Sequence, residues 1–212
     1  MMNKENNEIK HSFVGIDYGS KLAGTTVVAF ACLDGSVTNN KQIIQFKTSE
    51  KKKDADKFLI KIVEELEPEF IFLDAPLSLP GVYTNPEKFD DYFYRKSDKI
   101  LKGMSPMFLG GLTARAMRLK RQFENKGIKV IEIYPAIHAQ RMKLKTYNYK
   151  KQLQYIPDVL AVLQHNLPLK FEIETIKSWH QVDALLAYYA GFRYMNGDAE
   201  AFGDEAEGQI WV

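Results

Sequence analysis

Cysteine is nearly absent from this chain of 212 residues, which contains a single one, Cys32. One cysteine cannot form an intrachain disulfide, so a reducing, cytoplasmic setting fits best. Long apolar runs are also missing: none approaches the roughly 20 residues that cross a bilayer. Residues 1–12 are polar and charged and have no apolar stretch typical of a signal peptide. We therefore expect a cytoplasmic protein with no membrane partner.

The composition is that of an ordinary globular protein. Hydrophobic residues make up 45% of the chain and charged residues 26%, which is enough apolar side chain for one sizeable core. We expect one domain over residues 1–212. A homodimer is a further expectation, because closed dimers dominate among soluble oligomers.

Charge is unevenly distributed although the formal net charge is only +2. The tract from His138 to Lys151 has no acid, and residues 198–208 have five acids and no base. Two interpretations of the basic tract are open. It forms a phosphate-attracting surface, on which Tyr147 or Tyr149 stacks an unpaired base, or it is a solvated loop.

Apolar periodicity predicts an α/β fold. Three β-prone segments come first, over 12–17, 24–33 and 42–46, and Asp34-Gly35 between the last two is typical of a hairpin turn. Helices are predicted over 54–67, 112–125 and 178–194, and strands over 70–74 and 129–133. The order predicts a mixed central sheet, three antiparallel strands then parallel strands, flanked by helices. Residues 75–111, rich in Pro and Gly, form a lid-like insert with a helix over 87–102.

Acidic side chains stand at the ends of these segments. Asp17, Asp74 and Glu132 close apolar strands, and Asp183 follows His180 by one helical turn. A buried carboxylate is costly, and several together repel one another unless a cation lies between them. Mg²⁺ or Mn²⁺ prefers such oxygen ligands. The pattern predicts that several of these acids hold a metal ion.

Three of these acids also have a simpler explanation, in which they play no part in catalysis. Asp17 precedes a Tyr-Gly turn, and Asp183 would complement the positive end of its helix. His180 is expected to orient water or contact phosphate rather than bind Mg²⁺. Glu132 either joins the catalytic residues or forms a salt bridge with Arg141.

Several basic residues are candidates for substrate binding. Arg95 and Asp98 lie one turn apart in the insert, where they either lock the insert as an ion pair or hold a phosphate. Arg115 and Arg118 on the next helix, and the basic tract, either follow a phosphate backbone or remain surface charge. The candidate substrate-binding residues are therefore Arg95, Asp98, Arg115, Arg118, Arg141, Lys143 and Lys145.

Six short motifs occur in a fixed order: Gly15-Ile-Asp17-Tyr-Gly19, Leu73-Asp74-Ala-Pro76-Leu77, Arg95-Lys-Ser-Asp98, Glu132-Ile-Tyr-Pro135, His180-Gln-Val-Asp183-Ala184 and Glu207-Gly208-Gln-Ile-Trp211-Val. Together they resemble a family of domains of unknown function described as predicted ribonuclease-H-like nucleases. The fifth motif is also similar to the last helix of RuvC-type Holliday-junction resolvases. The resemblance implies a ribonuclease H-like fold, a divalent metal and a nucleic-acid partner, with DNA and RNA both open.

The reaction expected from this resemblance is in-line hydrolysis of a phosphodiester by two metal ions. Asp17 would bridge the ions, and Asp74 and Asp183 would each hold one. Two other classes of protein are alternatives. One is an actin-like or sugar-kinase-like nucleotide-binding protein, suggested by Asp17-Tyr-Gly19, and the other is a nucleic-acid-binding module on the same fold without catalysis.

Overall fold

The computed structural model describes residues 12–33 and 42–212 and shows an α/β protein with one five-stranded mixed sheet. Its strands are β1 (Phe13–Asp17), β2 (Val27–Leu33), β3 (Gln42–Thr48), β4 (Phe70–Asp74) and β5 (Lys129–Glu132). Their spatial order is β3-β2-β1-β4-β5. The first three are antiparallel neighbours, and β4 and β5 extend the sheet in parallel to β1. This confirms the predicted mixed sheet.

Seven α-helices are seen in the described residues. They are α1 (Ala55–Leu66), α2 (Lys96–Leu101), α3 (Pro106–Leu109), α4 (Gly111–Glu124), α5 (Pro135–Arg141), α6 (Ile156–Asn166) and α7 (Trp179–Met195). A small hairpin of β6 (Ala201–Phe202) and β7 (Ile210–Trp211) follows α7. None of the helices in the described ranges has the length and apolar composition needed to cross a bilayer.

The sheet separates two apolar cores. Side chains alternate along β1, so that Val14 and Ile16 pack with α1 and α4, whereas Phe13 packs with α7 on the other face. Helix α6 joins α7 in the second core through Leu160 and Leu163. Helices therefore cover both faces, as predicted for a sheet with buried parallel strands.

Local sequence explains where α1 begins and ends. The Asp54 side chain accepts hydrogen bonds from the backbone N–H groups of Asp56 and Lys57, which caps the helix N-terminus. Glu67 ends the helix in a left-handed conformation, and Pro68 follows. The predicted helix over 54–67 is confirmed, and so are those over 112–125 and 178–194 to within two residues.

The insert is less helical than predicted. The helix expected over 87–102 is present only as α2, so the prediction for residues 87–95 is wrong. The reason is a local turn: the Asp91 carboxylate accepts hydrogen bonds from the N–H groups of Phe93 and Tyr94 and draws the chain out of a helical path. Helices α5 and α6 and the β6–β7 hairpin were not predicted. The turn pair Asp34-Gly35 lies outside the described residues.

Candidate functional site

Three carboxylates, which we call the acidic cluster, meet at one edge of the sheet: Asp17, Asp74 and Asp183. Asp17 and Asp74 end neighbouring parallel strands and are paired in register. Asp183 comes from α7, whose start is fixed by a capping box between Ser178 and Gln181. The same helix places His180 Nδ1 at 2.8 Å from Asp17 Oδ2. The structure thus brings together four of the five predicted catalytic residues.

Burial and mutual repulsion shape the electrostatics of the acidic cluster. Burial raises the pKa of Asp17, and the charge of Asp183 raises it further, against the hydrogen bond from His180. The pKa of Asp74 lies well above its ordinary value, because of burial and then the charges of Asp17 and Asp183. Asp74 makes no hydrogen bond or ion pair within the described part of the chain. The charge of Lys150 lowers the pKa of Asp74, but less than burial and the two neighbouring acids raise it.

Two neighbours of Asp183 were not expected there. The Lys150 Nζ lies 2.8 Å from Asp183 Oδ2, and the Tyr149 hydroxyl donates a hydrogen bond to Asp183 Oδ1. Burial by itself lowers the pKa of Lys150, but Asp183 and then the other two acids raise it overall. Lys150 has a φ of 60°, in the left-handed region that a lysine rarely adopts. Tyr149 is buried, so the interpretation that it stacks an exposed base is wrong.

The donor atoms of the acidic cluster are of the type that a hard divalent cation prefers, but their present spacing does not suit a bound ion. All its donors are carboxylate oxygens, which Mg²⁺ and Mn²⁺ prefer. Three carboxylates face one ammonium, and the hydrogen bond to Asp17 raises the pKa of His180 and favours a second positive charge. However, within residues 12–33 and 42–212 no three His, Cys, Asp or Glu side chains are grouped to hold a metal. Asp183 already contacts Lys150 and Tyr149, so an ion there would compete with Lys150.

Glu132 lies outside the acidic cluster and belongs to a buried ion-pair network with Arg95 and Asp98. The Arg95 guanidinium is fully buried and all five of its N–H groups are bonded, to Asp98, Glu132 and Ser78. Glu132 Oε2 also accepts from the Leu77 N–H. The contacts favour the ion-pair interpretation of Arg95 and Asp98. Arg95 has no donor left for a phosphate.

The remaining basic candidates lie at several separate places. Arg115 and Arg118 both bind Asp56, with Nη2 to carboxylate oxygen distances of 2.6 and 2.7 Å. Arg141 pairs with Glu200 at 2.8 Å, so its predicted salt bridge with Glu132 is wrong.

Exposure decides which of these cations can reach a phosphate. The Arg118 side chain is 63% exposed, and Lys143 and Lys145 lie at the surface. Arg115, by contrast, is only 17% exposed. Arg118, Arg141, Lys143 and Lys145 are therefore the basic candidates open to solvent, whereas Arg115 serves mainly to balance the charge of Asp56.

The insert is fastened over this edge by the C-terminal segment. Glu207 Oε1 accepts a hydrogen bond from the Gly81 N–H and Glu207 Oε2 one from the Lys96 N–H, each at 2.9 Å. The Ser78 hydroxyl donates to the Glu207 carbonyl. The sequence pattern indicated no role for Glu207. Its place in the last of the six motifs was the only signal, and that signal did not reveal its partners.

A cavity of about 270 Å³ lies between the insert and the strand ends. Asp17 and Asp74 line one part of it, and Met104, Leu109 and Leu112 line the part formed by the insert and the start of α4. The acidic cluster is therefore reached through a partly apolar space beneath the insert.

No family model, no curated protein sequence and no solved structure matches this chain. The resemblance to ribonuclease-H-like nucleases therefore stays a prediction made from the motifs.

Proposed function

We propose that this chain is a metal-dependent nuclease with a ribonuclease H-like fold, which hydrolyses phosphodiester bonds of a nucleic acid. The observation that carries the proposal is the meeting of Asp17, Asp74 and Asp183 at one edge of the sheet, where the half-buried Asp74 has no hydrogen-bond or ion-pair partner in the described residues. A fold retains such an unfavourable group when a ligand compensates it. The order of the strands and the antiparallel start of the sheet also agree with the fold that the motifs imply.

Asp17, Asp74 and Asp183 would hold Mg²⁺ or Mn²⁺. A bound divalent ion supplies charge stabilisation at the phosphate and lowers the pKa of a water molecule. The chain itself supplies positioning. His180 uses Nδ1 to contact Asp17, which leaves Nε2 for a water or a phosphate oxygen. The Lys150 side chain is 53% exposed, so its ammonium can leave Asp183 and approach a phosphate instead.

Calorimetric titration with Mn²⁺, combined with cleavage assays on labelled DNA and RNA, tests the proposal. Wild-type protein should bind Mn²⁺ and cleave one of the two nucleic acids. Asp74→Asn should lose cleavage and bind Mn²⁺ at least tenfold more weakly, while the exposed Asp90→Asn should behave as wild type. Absence of Mn²⁺ binding by the wild-type protein at millimolar concentration would reject the nuclease.

A second function is favoured by the ion pair between Lys150 and Asp183. A lysine of the chain that already neutralises one acid of the cluster is also what a nucleic-acid-binding module without a metal would show. Such a module would bind oligonucleotides equally well in chelator and in Mn²⁺, and it would cleave neither DNA nor RNA. The nucleotide-binding alternative gains no comparable support from the residues described.

A further inference from the structure

The cavity beneath the insert has the size and walls of a site for one planar ring. Its volume of about 270 Å³ is just below the roughly 300–1,000 Å³ typical of sites for drug-sized ligands. A single base enters such a space, whereas a base pair within a duplex does not. Met104, Leu109 and Leu112 provide apolar contacts, and a methionine thioether packs well against an aromatic ring.

The cavity also offers a polar group that is still free. Tyr134 lines it, and its hydroxyl makes no hydrogen bond within the described residues. Burial raises the pKa of Tyr134, and so does the nearby charge of Asp74, so the hydroxyl stays protonated and able to donate. Arg95 and Glu132 reach the same cavity but are bonded to each other. Tyr134 is thus the available partner for the edge of a base.

The cavity adjoins the acidic cluster. Asp17 and Asp74 line it, whereas Asp183, Lys150 and His180 do not. The two strand-end carboxylates therefore border both the cavity and the charged residues that come from α7 and the basic tract. A nucleic-acid strand with its phosphate at the acidic cluster would have an adjoining base beside the cavity.

Exposed aromatic side chains continue from the cavity along the insert. Met104 is 61% exposed, Phe93 53% and Phe108 65%. The rings of Phe93 and Phe108 lie 5.8 Å apart, and the Ser105 hydroxyl donates to the Phe93 carbonyl, which keeps this pair next to Met104. Exposed rings of this kind stack successive unpaired bases.

We propose that the cavity accepts one unpaired base of the substrate and that Phe93 and Phe108 stack the bases next to it. The inference rests on the proposed function and narrows its substrate to single-stranded or locally unpaired nucleic acid. In a continuous duplex the same base would first have to leave its stack, which opposes binding.

The test uses oligonucleotides that contain 2-aminopurine, whose fluorescence rises when the base leaves its stack. Binding is measured in EDTA, so that it requires neither metal nor cleavage. Wild-type protein should bind the single strand at least tenfold more tightly than a duplex of the same length, with a rise in fluorescence. Leu109→Trp should fill the cavity and abolish the rise. Leu153→Trp, at a residue 61% exposed and outside the insert, is the matched control.

Two further variants keep the test decisive if Leu109→Trp does not fold. Met104→Trp fills the cavity from an exposed position, and Phe93→Ala with Phe108→Ala should weaken single-strand binding by roughly tenfold or more. Binding that is equal for single strand and duplex would overturn the inference. So would a fluorescence rise that is unchanged in both cavity-filling variants, Leu109→Trp and Met104→Trp. A normal fluorescence rise without cleavage in Mn²⁺ would reject only the nuclease, and cleavage without the rise would reject only the base site.

Discussion

Gly15 of β1 lies directly against the backbone of Tyr188 in α7. A Cβ atom on Gly15 would be 2.1 Å from the Tyr188 nitrogen, closer than real Cβ contacts ever come. Helix α7 can therefore lie this close to β1 only because residue 15 is glycine. Since α7 carries His180 and Asp183, this contact sets how near they lie to Asp17.

Gly15→Ala should push α7 away from the sheet. We expect the free energy of unfolding to fall by about 1–3 kcal/mol, the usual result of overpacking a tight core. Urea denaturation measures the change. Gly111→Ala is the matched control, because a Cβ there meets nothing within 4 Å and should be tolerated. Equal stability of the two variants would show that α7 does not depend on this contact.

Asp74→Asn should stabilise the protein at neutral pH. The folded-state pKa of Asp74 lies well above its ordinary value. As pH rises, the Asp74 carboxyl therefore loses its proton at a lower pH in the unfolded chain than in the folded chain. Stability therefore falls as pH rises from the ordinary Asp pKa through the folded pKa, and it stays lower above that window.

The gain from Asp74→Asn should be present near pH 7 and vanish below about pH 4. A change of about 1 kcal/mol corresponds to roughly 2–4 °C in the melting temperature of a chain of this size. Thermal unfolding in chelator between pH 3.5 and 8 measures it, with Asp90→Asn as control. A loss of stability at neutral pH would mean that Asp74 has a favourable partner in the folded protein.

Arg95→Met should be strongly destabilising. It leaves Asp98 and Glu132 buried without their shared cation, and breaking a buried ion pair typically lowers stability by about 3–5 kcal/mol. Lys96→Met, at the exposed neighbouring position, should change stability little. Adding Asp98→Asn and Glu132→Gln to Arg95→Met should restore part of the loss, because no charge then remains buried.

The expected outcome for Arg95 depends on how far the insert folds independently. If Arg95→Met and Lys96→Met unfold at the same urea concentration, the ion-pair network does not hold the insert to β5. Fluorescence of an introduced probe at Tyr92, which is 57% exposed in the insert, would then show whether the insert opens locally.

Lys150→Met should separate the two candidate functions. Without its ammonium the acidic cluster loses the ion pair at Asp183, so the metal-free protein should be less stable in EDTA. If Asp183 also binds metal, Mn²⁺ affinity should rise at least severalfold, since the cation no longer competes with Lys150. Lys151→Met is the control. Unchanged Mn²⁺ affinity would mean that the ion does not replace Lys150.

The convergence of the acidic cluster could be predicted from sequence because it follows from regular elements. Asp17 and Asp74 each end an apolar strand, and parallel neighbours bring such ends together. The spacing of His180 and Asp183, one turn apart on one helix face, predicted that Asp183 would join these two acids. These are short-range patterns combined with one topological rule.

The partners of the acids could not be predicted because they come from irregular segments. Lys150 reaches Asp183 from a stretch in which Asn148 and Lys150 both have left-handed backbones, and no periodic pattern specifies that path. Arg95 and Glu132 were recognised as motif residues, but only the fold shows that the strand end at β5 lies beneath the insert. Burial of a charged residue depends on long-range contacts that one sequence does not reveal.

The hydrogen bond between His180 and Asp17 joins residues 163 positions apart in the chain. Contacts of such long range form late, since closing a large loop opposes folding entropically and slows the search. Docking of α7 brings the carboxylate of Asp183 next to Asp17 and Asp74, and these charges raise the pKa of Asp74. We therefore expect acidic solution, which protonates the carboxylates, to accelerate the docking of α7 in refolding measurements.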